Sequence, residues 1–283
     1  MVWHSTGTIK GYKIVKKLSG PAHSIDRCAY LVRNHENQLR VLKLSLPTDR
    51  FWKFEKVHQY LQSINSLYTG FPRSYEHGTY KNMYYIVLSY IRGQHPFAIR
   101  NRMGPPGDPK RTLDIIKIIA QLADSLQILH DRGMIYRDLK NENIIVSSKR
   151  NQAFIIDLDG SYFPEFDKPE SRRSFGGTSR FCSPEQSREE YLTKQTDLYS
   201  LGVLLFFLLS NQWPIDSDEK NLTLQLKDIR QKHISEVPLV LSEIVEDIPP
   251  QISDLVDSML AKDPSSRPDS AKDVAKILRQ HID

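Results

Sequence analysis

The stretch Tyr136-Arg137-Asp138-Leu139-Lys140-Asn141-Glu142-Asn143 decides how the rest of the chain is read. It runs into an apolar segment, Ile144-Ile145-Val146. A second apolar segment, Phe154-Ile155-Ile156, ends on Asp157. Together they supply a carboxylate, a cation two residues on, an amide five residues on, and a second carboxylate at the end of a nearby strand. Phosphoryl transfer asks for that set. One carboxylate takes the proton of an attacking hydroxyl, and a cation neutralises the moving group. An amide and a carboxylate hold a divalent metal against the phosphates. A solvated polar turn between two strands is the plainer reading, but it does not call for these residue types in this order.

Composition narrows the setting. A chain of 283 residues suits one large domain or two lobes. With 39% hydrophobic and 26% charged residues it is neither fibrous nor disordered. Two cysteines, Cys28 and Cys182, exclude a disulfide scaffold and favour a reducing compartment, so a cytoplasmic location is expected. No His/Cys pair has zinc-ligand spacing. A net charge of +5 and a pI near 9.0 suit an anionic ligand. The 34 acidic residues dilute that charge and no long Lys/Arg run is present, so no nucleic-acid partner is expected. The start lacks a basic segment followed by an apolar run. The strongest apolar stretch, residues 201–209, falls well short of the roughly 20 residues a membrane helix needs. It reads as a helix buried in a large core, and no membrane span is expected.

Ahead of the deciding stretch the pattern is β. Strands are expected at 12–18, 28–32, 39–46, 74–80 and 83–89, with a helix at about 50–64. A small antiparallel sheet with one main helix makes an α+β lobe. Residues 93–110 are polar and rich in Pro and Gly, and are expected to be an irregular connection at a lobe boundary. Beyond them, Ile115, Ile119, Leu122, Leu126 and Leu129 recur at helical spacing. So do Ile252, Leu255, Val256 and Met259, and Val274, Ile277 and Leu278. Ser270 and Asp273 spell a capping box for the last helix. Residues 159–191 show little periodicity, as functional loops do. Arg92, Arg100, Arg102, Lys110 and Arg111 form a basic group, read as solvated surface with a docking face as the alternative.

The motifs resemble those of eukaryotic-type (Hanks-type) Ser/Thr protein kinases over nearly the whole chain. The resemblance implies a bilobal protein-kinase-like fold over 1–283, with an N-lobe at 1–90 and a larger, mostly helical C-lobe at 91–283. It also implies ATP and Mg²⁺, with Mn²⁺ as the alternative metal, and a protein substrate with a Ser or Thr acceptor. Residues 136–143 resemble the catalytic loop. Asp138 would be the base, Lys140 would contact the γ-phosphate, and Asn143 and Asp157 would bind metal. Arg40-Val41-Leu42-Lys43 resembles the strand whose lysine, here Lys43, grips the α- and β-phosphates. Glu55 is the only Glu between Lys43 and Arg73, and so would be the candidate ion-pair partner that orients Lys43. Val41 replaces the usual Ala and would narrow the adenine pocket. Leu88 would be the gatekeeper, the backbone of Ser89 and Ile91 would bind adenine, and Ile145 would form its floor. Residues 177–185 resemble the end of an activation segment, here 157–185. Thr178 would bond towards Asp138 and Lys140, Glu185 would pair with Arg267, and Asp197 would cap the catalytic-loop backbone.

The chain departs from the family pattern in three places. The Gly-rich loop keeps one glycine, Gly20, in Ser19-Gly20-Pro21-Ala22-His23-Ser24, which should loosen the hold on the phosphates. The D-F-G motif reads Asp157-Leu158-Asp159. Asp159 is either a solvated turn carboxylate or an extra metal ligand that shifts preference towards Mn²⁺. Tyr136 stands where His is commoner and can fill the same packing role. Regulation is read at Arg137, Ser171, Ser174 and Thr178. They form either a loop ordered by autophosphorylation against arginine, centred on Ser174 or Ser171, or an unmodified polar loop. Two other functions compete: a pseudokinase that binds nucleotide or partners without turnover, and a small-molecule kinase of related fold. Residues 177–185 speak against the latter.

Overall fold

Alternating residues in the first third of the chain build one antiparallel sheet. In the computed structural model, which describes residues 7–19, 28–46, 52–64, 69–173 and 178–282, its strands are β1 (Thr8–Ile9), β2 (Tyr12–Ser19), β3 (Cys28–Arg33), β4 (Leu39–Ser45), β5 (Ser74–Tyr80) and β6 (Met83–Ser89). They lie in the order β1-β2-β3-β4-β6-β5. Helix α1 (Trp52–Ser63) packs on β5 and β6. The β5–β6 hairpin turns at Lys81 and Asn82, both with positive φ, as a two-residue turn matched to strand twist requires.

The pleat sorts this sheet into two faces. Leu42 and Leu44 share a buried cluster with Cys28, Tyr30 and Val32 of β3 and Met83, Tyr85 and Val87 of β6. Cross-strand partners point to the same side. Val41 pairs with Leu31 and Leu88, and Lys43 with Ala29 and Ile86. Val41, Lys43 and Leu88 therefore share the face opposite that cluster.

Contacts divide the chain into two compact units, Met1–Arg92 and Gly93–Asp283. The second opens with a short helix, α2 (Pro96–Arg100), inside the stretch expected to be irregular. Pro96 fixes its first turn. Helix α3 (Pro109–His130) follows, capped by Asp108, whose carboxylate accepts the Arg111 N–H. Strands β7 (Ile144–Ser147) and β8 (Gln152–Ile155) form a hairpin. The helices α4 (Pro184–Ser187), α5 (Lys194–Ser210), α6 (Leu222–Ser235), α7 (Pro250–Met259) and α8 (Ala271–Arg279) complete the unit.

Helix α5 is apolar on all sides, and every residue from Thr196 to Ser210 is buried, as a helix at the centre of a core should be. It ends where Asn211 adopts the left-handed conformation. α3 packs on α5 and α8, and α7 packs on α5. Ser270 caps α8 through the Asp273 N–H at 3.2 Å, while the Asp273 carboxylate accepts the Ser270 hydroxyl.

One expectation is overturned here. Arg111 is not solvated surface: it is 3% exposed. Its guanidinium donates to Gly104 O, Leu208 O and Asn211 Oδ1 at 2.9, 2.6 and 2.6 Å. It serves the Leu208 carbonyl near the end of α5, one of the carbonyls a helix C-terminus leaves unpaired. Among the described residues, no helix is long and apolar enough to cross a membrane.

Candidate active site

The β7–β8 hairpin sets the geometry of the deciding stretch. Ile144 pairs with Ile155, so Asn143 and Ile156 face one another just past the ladder. The Ile156 N–H donates to the Asn143 carbonyl at 2.9 Å. The residue before β7 and Asp157 after β8 thus emerge at the same end of the hairpin. A single 3₁₀ turn, Asn141–Asn143, precedes β7. The Asn141 side chain accepts the Phe97 N–H at 2.9 Å, which ties this turn to α2. Close approach fixes the neighbouring strand-like pair. Gln94 and Val146 exchange backbone bonds at 3.1 and 2.8 Å, and a Cβ on Gly93 would lie 2.3 Å from Val146 O.

Around Asp138 the donors converge. Its Oδ2 accepts from Lys140 Nζ at 2.7 Å and Asn143 Nδ2 at 3.0 Å, and its Oδ1 accepts from Thr178 Oγ1 at 3.2 Å. Asn143 Nδ2 also donates to the Asp138 carbonyl at 2.8 Å. The carboxylate is oriented from both sides yet remains partly accessible, with a side chain 22% exposed. Two hydrogen bonds hold the backbone ahead of it. Asp197, fully buried in the first turn of α5, accepts the Tyr136 N–H at 2.8 Å and the Arg137 N–H at 2.7 Å. His130 Nε2 lies 2.8 Å from the same carboxylate. Burial pushes the Tyr136 phenol well above its ordinary pKa, and the charges of Asp157 and Asp138 push it further, so it stays neutral.

Arg137 itself is 5% exposed and sits at φ 70°, a left-handed conformation uncommon for a residue with a side chain. Its guanidinium donates to Gly160 O through Nε and Nη2 at 2.9 and 2.7 Å, and to Ser171 O through Nη1 at 2.8 Å. Asp157 Oδ1 accepts the Asp159 N–H at 2.9 Å, an Asx turn that orients the carboxylate. Leu158 is buried.

Further along, Glu185 accepts two bonds from Arg267, at 2.7 and 2.9 Å, and one from Thr196 Oγ1 at 2.9 Å. Burial alone would raise its pKa. The Arg267 guanidinium more than offsets that and holds the carboxyl below its ordinary value.

The remaining sequence-derived residues are placed as follows. Ile145 lies on β7 opposite Phe154. Ser171 lies in a 3₁₀ segment, and its hydroxyl donates to Lys168 O at 2.7 Å. In the first unit, Val41, Lys43 and Leu88 share one sheet face, and Ile91 is buried. The Ser89 N–H donates to Arg73 O at 2.7 Å. Glu55 is in the first turn of α1 and accepts from Gln59 at 3.1 Å. Gly20 and Ser174 lie outside the described residues.

Sequence reasoning missed Gln186. Ser183-Pro184-Glu185-Gln186 spells a capping box with proline at the first helical position, and that signal was available. The box forms: Ser183 Oγ accepts the Gln186 N–H at 3.3 Å, and Gln186 Oε1 accepts the Ser183 N–H at 3.1 Å.

The donor chemistry fits a hard divalent cation. Asn143 commits its amide nitrogen to Asp138, so its amide oxygen is the end a cation would use, and Asp157 adds a carboxylate oxygen. Among the described residues, no cluster of three His, Cys, Asp or Glu forms.

Comparison with known sequences agrees with the geometry. Residues 53–280 match the protein kinase domain family. The serine/threonine-protein kinase pkn3 of Myxococcus xanthus is 30% identical over 248 residues, which cover 83% of this chain and 43% of that protein. The serine/threonine-protein kinase PknB of Mycolicibacterium smegmatis is 30% identical over 200 residues, covering 70% of this chain and 30% of the relative. PrkC of Bacillus subtilis, also a serine/threonine-protein kinase, is 25% identical over 254 residues, covering 89% and 37% respectively. The chain thus spans less than half the length of these relatives. With most of its length matching the family and an antiparallel sheet preceding a helical unit, the chain belongs to the protein kinase family.

Proposed function

We propose that this chain is an active Ser/Thr protein kinase that transfers the γ-phosphate of ATP to protein hydroxyls. The observation that carries the reading is the Asp138 carboxylate, oriented by Lys140, Asn143 and Thr178. In this reading Asp138 accepts the proton of a Ser or Thr hydroxyl as the hydroxyl oxygen attacks the γ-phosphorus, whose bond to the β,γ-bridging oxygen breaks to release ADP. Lys140 neutralises charge on the moving phosphoryl group. Asn143 and Asp157 hold Mg²⁺ or Mn²⁺, and a bound cation supplies charge neutralisation at the phosphates. Lys43 grips the α- and β-phosphates, with Glu55 as its orienting partner. Val41, Leu88 and Ile145 line the adenine site, and the backbone of Ser89 and Ile91 bonds the base. The lobes are 1–90 and 91–283, and the location is cytoplasmic. Positioning and electrostatics provide the acceleration, with no covalent intermediate.

The names of the relatives support Ser/Thr acceptors. The pseudokinase reading is the weaker one, because Lys43, Asp138, Lys140, Asn143 and Asp157 are all present. Ser171, Ser174 and Thr178 are the candidate autophosphorylation region.

A peptide array incubated with ATP tests the reading. Labelling of Ser and Thr peptides is expected in Mg²⁺ or Mn²⁺, with loss in EDTA and no labelling of Tyr peptides. Mass spectrometry of the same sample should find phosphate between residues 157 and 185. Array signal no higher than in EDTA would end the kinase reading in favour of nucleotide binding alone. Asp159→Gly assayed in parallel decides that residue's role: an unchanged Mg²⁺/Mn²⁺ ratio makes it a turn carboxylate only.

A further inference from the structure

We propose that Gln186 is a positioning residue for Asp138, acting through the Arg137 carbonyl. The inference rests on the activity proposed above and assigns a role to a residue outside the family motifs quoted for this chain. Gln186 is 1% exposed, and its amide is used at both ends. Oε1 accepts the Ser183 N–H at 3.1 Å, and Nε2 donates to Arg137 O at 2.8 Å across 49 residues of sequence. The amide orientation is forced, because the reversed amide would set a donor against the Ser183 N–H and oxygen against oxygen at Arg137.

The carbonyl it holds belongs to the peptide that joins Arg137 to Asp138. Arg137 is strained, at φ 70°. A left-handed residue bearing a Cβ costs about 1–2 kcal/mol and persists only where its surroundings over-determine it. The surroundings do so in three ways. Asp197 takes the Arg137 N–H, the Gly160 and Ser171 carbonyls take the guanidinium, and Gln186 takes the carbonyl. Of these, only the Gln186 bond acts on the 137–138 peptide plane. Without it, a buried carbonyl loses this partner, and the plane loses a restraint on rotation about ψ of Arg137 and φ of Asp138. That rotation would carry the Asp138 carboxylate away from Lys140 and Thr178. Gln186 lies one residue after Glu185, so the contact also couples the segment that ends at α4 to the catalytic loop.

Two substitutions separate this role from helix capping. Gln186→Glu keeps an oxygen for the Ser183 N–H but turns a carboxylate oxygen towards Arg137 O. Gln186→Met removes both bonds. The positioning role predicts that both variants lose kcat by roughly 10- to 100-fold, the scale of a small misplacement near the reacting atoms. KM for ATP should stay within about threefold, since uniform substrate binding is untouched. A purely structural capping role predicts that Gln186→Glu behaves like wild type while Gln186→Met fails. That result, or wild-type kcat in both, overturns the proposal. Amide hydrogen exchange over residues 136–139 gives a readout independent of turnover. It is expected to accelerate in Gln186→Glu relative to wild type, and unchanged exchange also overturns the proposal. A wild type with no turnover at all would instead remove the activity reading, and the exchange measurement would still judge the tie to Arg137.

Discussion

Asp138→Ala is expected to reduce kcat by about 1,000-fold, within the range typical for loss of a positioned general base. The alanine removes the group proposed to accept the substrate proton. It also takes away the group that Lys140, Asn143 and Thr178 converge on. Affinity for nucleotide should change little, because the phosphates are assigned to Lys43, Lys140 and the metal ligands. Steady-state phosphorylation of a Ser peptide, paired with nucleotide titration by fluorescence or calorimetry, separates the two effects. Retention of more than a tenth of the wild-type kcat would remove Asp138 from the role of base. A parallel collapse of nucleotide affinity would show it to be a binding residue instead.

Arg267→Ala should be the most damaging single change to stability outside the apolar core. Glu185 and Arg267 form a bidentate pair with side chains 4% and 0% exposed. Removing one partner of a buried pair leaves an uncompensated charge and typically costs 3–5 kcal/mol, about half of a whole domain's stability. The pH dependence gives the prediction a sign. In the wild type Glu185 has a folded pKa below its unfolded value of 4.5. Its contribution is therefore complete above pH 4.5 and fades as pH falls through the folded value. Without Arg267, burial dominates and drives the carboxyl the other way, so the variant takes up a proton on folding at pH values between the unfolded value and the raised folded one. The stability gap between the two proteins should therefore narrow on acidification. Urea unfolding at pH 7 and pH 4.5 measures it. A loss under about 1 kcal/mol at pH 7 would place the pair among weak surface bridges. A gap independent of pH would show that Glu185 is not the group left stranded.

What could be read from the sequence was what the sequence keeps together. Asp138, Lys140 and Asn143 fall within one stretch of six residues, so their chemistry is legible before any fold is known. Apolar segments bounded by turn residues at 39–46 and 83–89 put strands where β4 and β6 lie, and helical spacing found α3, α7 and α8. The miss at α2 has a local cause: five helical residues led by Pro96 and followed by Gly104, Pro105 and Gly107 are too few to show a period. Arg111 was misread for a different reason. Its companions in sequence are charged, but the carbonyls it serves belong to residues 97 and 100 positions away in sequence or to its own preceding loop. The Gln186–Arg137 bond was invisible for the same reason. Long-range pairing of polar groups leaves no trace in periodicity, and here the acceptor is a backbone carbonyl that any residue at position 137 would supply.

Arg111 also bears on how this protein can be altered. Residues 101–108 look like a natural place to insert a tag or a foreign loop, being polar, turn-forming and rich in glycine and proline. Insertions are tolerated where the affected backbone is exposed and unbonded. Here the loop carbonyl of Gly104 is knotted by one guanidinium to the far end of the central helix. Lengthening the loop upstream or downstream of that knot would pull on the core itself. The turn at residues 34–38 is tied by local bonds, the Gln38 N–H to Asn34 Oδ1 and the flanking Arg33 guanidinium to Asn37 O, and not to the core, so it is the safer place to graft.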